Sequence, residues 1–583
     1  MLSFLLQVGD LEPTDSTTQQ EIFRVLAARS WRDVAHAHLD TSQSWPLAHC
    51  GGTAFIRRGE RWHLLRAPRV RETQSPSDTA FLVNLHHALQ DATPEAVAKH
   101  IARALQQREK SEAWIAWSEH FRTALVFRDP LGHVPLYLYQ TGQGILVSNT
   151  RRALEPWVRH EPIASTETLA SLLVSGIAPT SKDGIFRNLS RVEPGTYATL
   201  HPDQEVKRTR WWHWTQPPLQ RSFDLREGAA TYRTLMQQSL DATLRAPLIG
   251  VELSGGMDST SVLAAARQVR PDLPVHAINY ALDEHDQDRI LSRELCAMWQ
   301  LNYQGIDPTA PSSIIPLEPF TPTSALHTLS TLGSLGSPID VLSGHGGDNL
   351  FRVQRTDLDQ IRQDLSPLQW GKLLRTHQKI HGQLPPLFLR ERMGRKSTEN
   401  PLGTYLLPWF SKELSEAMRE HMAARLRGEQ NATSSIENMT FHPLWSDILE
   451  MSDAGMHGAQ IQFHFPFFDL DVMRFVASIP AIPWKFNKYL ARYAWQDVLP
   501  QRITERPKTV HQPQSLAHNF PPSLLARAQQ VDWLNADALA QWLNNDQKYP
   551  RWTYGSAHAA FDLLAWDAHQ STSRLTKPVK TAT

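Results

Sequence analysis

The chain has 583 residues and balances 59 lysines and arginines against 59 aspartates and glutamates, so no bulk positive field gathers nucleic acid or holds it on an anionic membrane. At roughly 100 to 200 residues per domain, this length predicts two to four domains, read here as two large ones. Two cysteines, Cys50 and Cys296, are too few for a disulfide framework or thiolate metal cluster and suit a reducing cytoplasm; the start MLSFLLQVGDLEP lacks the basic region of a signal peptide, and no apolar run reaches the ~18 residues of a bilayer span.

Residues 1–215 read as one β-rich unit. TAFIRRGERWHLLRA, EAWIAWSEHFRTALVFRDP and VPLYLYQTGQGILVSNT are short apolar runs broken by turn residues, with QTGQG as a hairpin turn. Helices are predicted near Gln20 to Ala37 and near Thr93 to Gln107. A layered α+β domain follows from that mixture. The boundary is RTRWWHWTQPPLQRSFDLREG, where Pro217-Pro218 can continue neither a helix nor a central strand.

The second unit, 222–570, opens with a helix carrying Tyr232, Leu235, Met236, Leu240 and Leu244 on one stripe. PLIGVEL then reads as a buried strand, SGGMDS as a loop, TSVLAAARQVR as a helix stopped by Pro271, and PVHAINY as the next strand. A further strand, PIDVL, runs into a second glycine-rich loop, SGHGGDNLF. This alternation predicts a parallel sheet with right-handed crossovers, and both loops leave the strand ends where ligands of open α/β sheets bind. Beyond Asn349 the pattern is mostly helical to about Ala568. Arg390 to Glu399, RERMGRKSTE, reads as a mobile basic surface loop, and 571–583 as a disordered tail.

Ser254, Gly255, Gly256, Asp258 and Ser259 sit between a strand and a helix start. There glycines let backbone N–H groups approach a polyanion, hydroxyls add donors, and the helix terminus favours negative charge. Asp258 itself repels phosphate, so its role in such a loop is to ligate Mg2+. The Gly-x4-Gly-Lys pattern of a Walker loop is absent.

This loop resembles the signature of the ATP pyrophosphatase superfamily, the adenine nucleotide alpha hydrolase-like fold, and SGHGGDNLF is similar to the second loop of its asparagine synthetase group. The resemblance implies that Asp258 and Asp348 bind Mg2+. It also implies that Leu253, Ser254, Gly255, Gly256, Asp258, Ser259, Ile278, Gly344, Gly346 and Gly347 contact ATP. Asn349 stands where the group has glutamate. QDRILSRELC places Asp288 at a glutamate position that follows the adenine-contacting strand, and HFPFFD resembles a structural segment at the pocket edge. NKYLARYAWQDVLPQRITERPKTVH aligns Lys488, Arg492, Arg506 and Lys508 with the group's cations. Catalytic roles are accordingly expected for Lys508, Asp288 and Lys488, with Lys508 acting on an acyl-adenylate.

The first unit resembles a class II glutamine amidotransferase (Ntn-hydrolase-like) domain through FRDPLGHVPLYLYQTGQGILVSNTRRALE and GIFRNLSRVEPGTYATL. A working domain of that type exposes an N-terminal Cys after loss of Met1, since its thiol is the nucleophile and its amine the base. Here position 2 is Leu, Cys50 has no free amine, and the Asn-Gly-Glu and Gly-Pro-Asp turns that hold glutamine are missing. The domain is therefore read as degenerate, without glutaminase activity. The amine then comes from the substrate.

Two groups with such a domain fit: lasso-peptide macrolactam synthetases, which join a peptide's N-terminal amine to an Asp or Glu side chain, and small-molecule β-lactam or amide synthetases. The SGHGGDN loop is more similar to the first. An asparagine synthetase using free ammonia is a further alternative, a non-catalytic scaffold and a tRNA-modifying enzyme less favoured ones. The lasso reading implies ATP and Mg2+ as cofactors and a precursor peptide as substrate. It also implies a leader-cleaving protease and a leader-recognition protein as partners in the cytoplasm, with no nucleic acid or membrane partner.

Overall fold

The computed structural model describes residues 2–568 apart from 10–14, 31, 33, 42–44, 52–55, 70–75, 109, 181, 281–283, 308–313, 315, 320–322, 386–408, 432–434, 508–526 and 544–552. Lys508, the Arg390 to Glu399 loop and the 571–583 tail thus lie outside the described residues.

Among the described residues, twelve strands build two antiparallel sheets in the first unit: β1 (Leu2–Gly9), β2 (Ala37–Asp40), β3 (Leu47–Gly51), β4 (Ile56–Arg57), β5 (His63–Pro68), β6 (Glu112–Ser118), β7 (Thr123–Phe127), β8 (Tyr137–Gln140), β9 (Gly144–Ser148), β10 (Leu189–Arg191), β11 (Thr196–Leu200) and β12 (Lys207–Arg210). One sheet runs β10-β8-β9-β1-β3-β2, the other β12-β11-β7-β6-β5-β4. Alternate residues of the two, among them Phe4, Leu6, Val8, Leu65, Ile115, Trp117, Val126 and Val147, form the core between them. Period-two strands bury both faces here, which explains why β1, β6 and β7 have no exposed residue. Helices α1 (Ser16–Ser30), α2 (Pro76–Leu89) and α3 (Pro94–Arg108) cover the outer faces, α1 packing on β3 and α3 on β7. The layered α+β expectation takes the form of helix, sheet, sheet, helix, with α2 an addition that the sequence pattern did not reveal. The QTGQG turn links β8 to β9 as read from the sequence.

Two further helices, α4 (Glu155–Val158) and α5 (Thr166–Ser175), precede the crossover to the second unit. It begins with α6 (Leu225–Asp241), capped by Asp224, which accepts from the backbone N–H groups of Arg226 and Glu227. Strands β13 (Leu248–Glu252), β14 (Val275–Tyr280), β15 (Asn302–Ile306), β16 (Ile339–Leu342) and β17 (Ile461–His464) form an all-parallel sheet, ordered β15-β14-β13-β16-β17. Its crossovers include α7 (Met257–Val269), α8 (Gln287–Trp299) and α9 (Thr323–Gly333). The sequence pattern predicts three of these strands; β15 and β17 extend the sheet at its two edges. Burial on both faces of β13, β14 and β16 is the physical signature of a parallel sheet. This is the expected α/β domain with a parallel sheet and a helical C-terminal part.

The remaining helices include α10 (Gly347–Leu350), α11 (Arg355–Asp364) and α12 (Pro367–His381). Helices Lys412–Asn431 and Thr553–Ala568 return to pack on α5, and Trp409, Phe410, Phe561 and Trp566 share one apolar core with Leu5 and Leu146. Among the described residues no helix is long and apolar enough to cross a membrane.

Candidate active site

β13 ends at Glu252, and the chain turns through Leu253–Gly256 into α7. Leu253 is fixed because its N–H donates to the Ile278 carbonyl at 2.7 Å, and its carbonyl accepts from Asn279 Nδ2 and Ser292 Oγ. Gly255 adopts φ +64°, and a Cβ there would stand 2.9 Å from Leu291 Cβ and 3.1 Å from the Asp288 carbonyl, so only glycine lets the loop lie against α8. Gly256 begins α7 without a side-chain cap. The first N–H groups of a 13-residue helix are thereby left for a ligand. Ser254 Oγ lies 3.1 Å from Ser259 Oγ.

The second loop leaves β16, the parallel neighbour of β13, and is cut to fit the first. A Cβ on Gly344 would lie 2.7 Å from the Ser259 backbone nitrogen, and one on Gly347 would lie 2.5 Å from the Asp258 carboxyl carbon. Gly346 takes φ +94°. His345 is exposed, with Nδ1 2.6 Å from Ser343 Oγ. The two glycine-rich loops are thus one interlocked surface, which brings Asp258 and Asp348 together across 90 positions of sequence.

Between these carboxylates sits Lys488: its Nζ is 2.5 Å from Asp258 Oδ2 and 2.5 Å from Asp348 Oδ1. Two carboxylates that face one cationic group fit Mg2+, and Asp258 and Asp348 are the residues that would hold it. Among the described residues no group of three or more His, Cys, Asp or Glu could hold a metal. Phosphate and water oxygens would have to complete the coordination.

A cavity of about 980 Å³ opens over this centre, lined by Ser254, Gly256, Asp258, Asp288, Asp348 and Lys488 from the expected set. Leu253, Gly255, Ser259, Ile278, Gly344, Gly346 and Gly347 do not line it. Ile278 is wholly buried, so its side chain serves the core. Asp288 Oδ1 accepts from Arg506 Nη2 at 2.5 Å, tying the start of α8 to the segment that leads to Lys508. Arg492 also lines the cavity, held by the carbonyls of Asn487 and Thr504. Burial draws its guanidinium below the usual arginine range, while Asp258 opposes the shift.

Sequence reasoning missed the opposite wall, made by His381, Tyr489 and Tyr493. His381 meets Tyr489 edge-on at 5.5 Å, and His377 lies 4.6 Å behind His381. Burial pushes His377 down to about 4 and lowers His381 as well, which favours an uncharged wall near neutral pH. Tyr489 and Tyr493 are four residues apart on one helix face, a spacing no different from ordinary core packing. HFPFFD stays out of the cavity: His464 Nε2 bonds to Asp340 Oδ1 at 2.8 Å, Phe465 to Phe468 are buried, and Asp469 caps the following helix.

Cys50 is fully buried on β3, and burial raises its thiol above the usual range. Such a thiol is a poor nucleophile.

Comparison with known proteins identifies residues 231–568, more than half of the chain, with the asparagine synthase family, and residues 70–212 with the glutamine amidotransferase domain. Asparagine synthetase [glutamine-hydrolyzing] 1 of Bacillus subtilis (strain 168) is 22% identical over 426 residues, covering 68% of this chain and 66% of that relative. The match therefore spans slightly less than two thirds of that relative's length. Asparagine synthetase [glutamine-hydrolyzing] 3 of the same organism is 24% identical over 181 residues, 30% of this chain and 29% of the relative. Among solved structures, glutamine phosphoribosylpyrophosphate amidotransferase from B. subtilis is 12% identical with a TM-score of 0.24, covering 63% of this chain and 80% of that one. The NH3-dependent NAD synthetase from Campylobacter jejuni is 12% identical with a TM-score of 0.19, covering 35% and 96%.

Proposed function

From the premise that this chain belongs to the asparagine synthase family, a family of ATP-dependent carbon–nitrogen ligases, we propose that it is a macrolactam synthetase. It adenylates an Asp or Glu side-chain carboxylate of a precursor peptide and joins it to the peptide's N-terminal amine, releasing AMP and pyrophosphate. The observation that carries the reading is the convergence of Asp258 and Asp348 under the uncapped start of α7, at the floor of one large cavity.

A carboxylate oxygen attacks the α-phosphorus, the bond to the β-phosphate oxygen breaks, and pyrophosphate leaves with that electron pair. The substrate amine then attacks the acyl carbon, loses a proton, and expels AMP. In this chain the uncapped first N–H groups of α7 hold phosphate oxygens, and Lys488, Arg492 and Arg506 supply positive charge around them. Mg2+ held by Asp258 and Asp348 would neutralise the leaving pyrophosphate. Lys508, two residues beyond Arg506, is assigned to the charge that develops on the acyl centre.

Two observations favour a peptide over a small amino acid. The cavity lies near the top of the ~300 to 1,000 Å³ range of ligand sites, leaving space beside a nucleotide. Its aromatic wall suits side chains flanking the activated residue. A buried, weakly acidic Cys50 favours an amine delivered by the substrate over one released from glutamine. A leader-cleaving protease and a leader-recognition protein would supply the freshly exposed amine.

The test incubates the purified protein with ATP, Mg2+ and a core peptide bearing a free N-terminal amine and a downstream Asp or Glu. AMP and pyrophosphate should form together with a peptide lighter by one water, and Lys508→Ala should abolish that peptide product. Asparagine formed from aspartate and ammonia, or a lactam formed only from a small β-amino acid, would replace this reading.

A further inference from the structure

Lys488 is more than one cation near a phosphate site. Its ammonium stands between the two carboxylates, 2.5 Å from each, and so occupies the pair of side chains that would hold a metal. The backbone is committed to that aim. Asn487 and Lys488 are consecutive non-glycine residues at φ +49° and +56°, a region that L side chains avoid. The turn is held by Lys488 N–H on the Lys485 carbonyl at 2.8 Å and by Arg492 Nε on the Asn487 carbonyl at 2.7 Å. Lys485 is itself buried and lies 3.4 Å from Asp357.

The protein's contribution to a metal here is small, two carboxylates with no third His, Cys, Asp or Glu among the described residues. Two carboxylates already neutralised by an ammonium offer a divalent cation little. A triphosphate changes both sides of that competition, because it brings oxygen ligands for the metal and an anionic destination for the lysine.

We propose that Lys488 is a built-in counter-ion that keeps divalent cations out of the Asp258/Asp348 pair until nucleotide arrives, then transfers to the phosphates as the metal enters. Metal and nucleotide therefore load together. This rests on the reading of Asp258 and Asp348 as the metal-binding pair.

Mn2+ binding to the full chain, stripped with EDTA and followed by the electron paramagnetic resonance signal of free Mn2+, tests it. Without nucleotide, Lys488→Met should bind Mn2+ at least about tenfold more tightly than the wild type, since the competing ammonium is gone, and Lys488→Arg should stay weak. Adding α,β-methylene ATP should bring Mn2+ onto the wild type. Tight Mn2+ binding by the nucleotide-free wild type overturns the inference whether or not Lys488→Met folds, and so does equal binding by the wild type and a folded Lys488→Met. If Mn2+ binds with the analogue and survives both Asp258→Ala and Asp348→Ala, the metal-site reading itself fails.

Discussion

Arg29 and Asp453, 424 positions apart, form a two-pronged ion pair: Nε donates to Oδ1 at 2.8 Å and Nη2 to Oδ2 at 3.0 Å, with both side chains almost wholly buried. Arg29 ends α1 under the first sheet, and Asp453 caps the short helix just before β17. Arg128 and Arg191 each bring one guanidinium nitrogen to buried Glu450, Nη2 of the first 2.9 Å from Oε1 and Nη1 of the second 3.1 Å from Oε2. The two units are thus joined by desolvated charge as well as by apolar packing.

Removing one partner leaves the other buried and uncompensated. Arg29→Ala or Asp453→Ala should each lower stability by about 3 to 5 kcal/mol. A paired Arg29→Met, Asp453→Leu protein should recover a good part of that loss, short of the helix cap that Asp453 also provides. Denaturant unfolding of the three variants checks this, and additive losses in the double variant would show that the pair is not coupled.

The glycines of the second loop should separate fold from chemistry. Gly347→Ala sets a methyl 2.5 Å from the Asp258 carboxyl, the end of a side chain that can move aside. Stability should change little, while AMP formation falls by about two orders of magnitude, the scale of a 1 Å misplacement. Gly344→Ala instead meets the Ser259 backbone at 2.7 Å and should lose stability as well as activity. Melting temperature and turnover, measured side by side, distinguish the two.

Asp258→Ala and Asp348→Ala should each remove ATP-dependent pyrophosphate release while leaving the melting profile near that of the wild type, because neither side chain belongs to the apolar core. Full activity in both would detach the chemistry from this centre.

Acid should weaken the first unit. Burial holds His49 and His63 at about 4 in the folded protein, against 6.5 in an unfolded chain. Between those values the unfolded state binds protons that the folded state refuses, so stability is retained above pH 6.5 and falls towards pH 4. Each fully refused proton contributes a slope of ~1.4 kcal/mol per pH unit. His49→Leu should flatten the decline between pH 6.5 and 4.5, and an unchanged slope would place the acid sensitivity elsewhere.

Both nucleotide-loop segments were legible because their signal is local: glycine, serine and aspartate at a strand end determine backbone approach by themselves. β17 was not, since the apolar–polar alternation of IQFH is only four residues long and its pairing with β16 makes it a strand. The edge strand β15 is half exposed and carries Gly305, which weakens any strand pattern. α2 starts at a proline and carries two histidines in its last turn, so that Leu82, Leu85 and Leu89 form only a short apolar stripe. Lys488 could be matched as a cation, but its place between Asp258 and Asp348 depends on a left-handed turn, of which Asn487 is the one hint in NKYLAR. The wall of Tyr489, Tyr493 and His381 joins helices more than 100 positions apart, a relation created by folding alone.

The return of helices Lys412–Asn431 and Thr553–Ala568 onto α5 gives the chain a clasped topology. Late sequence closes over early sequence, with Trp566 stacking on Phe186 at 5.9 Å and its indole N–H donating to the Pro316 carbonyl at 3.1 Å. A unit that resembles a glutaminase is thereby kept as a wall of the neighbouring domain's core, and excising it would expose the apolar surface that those aromatic rings now cover.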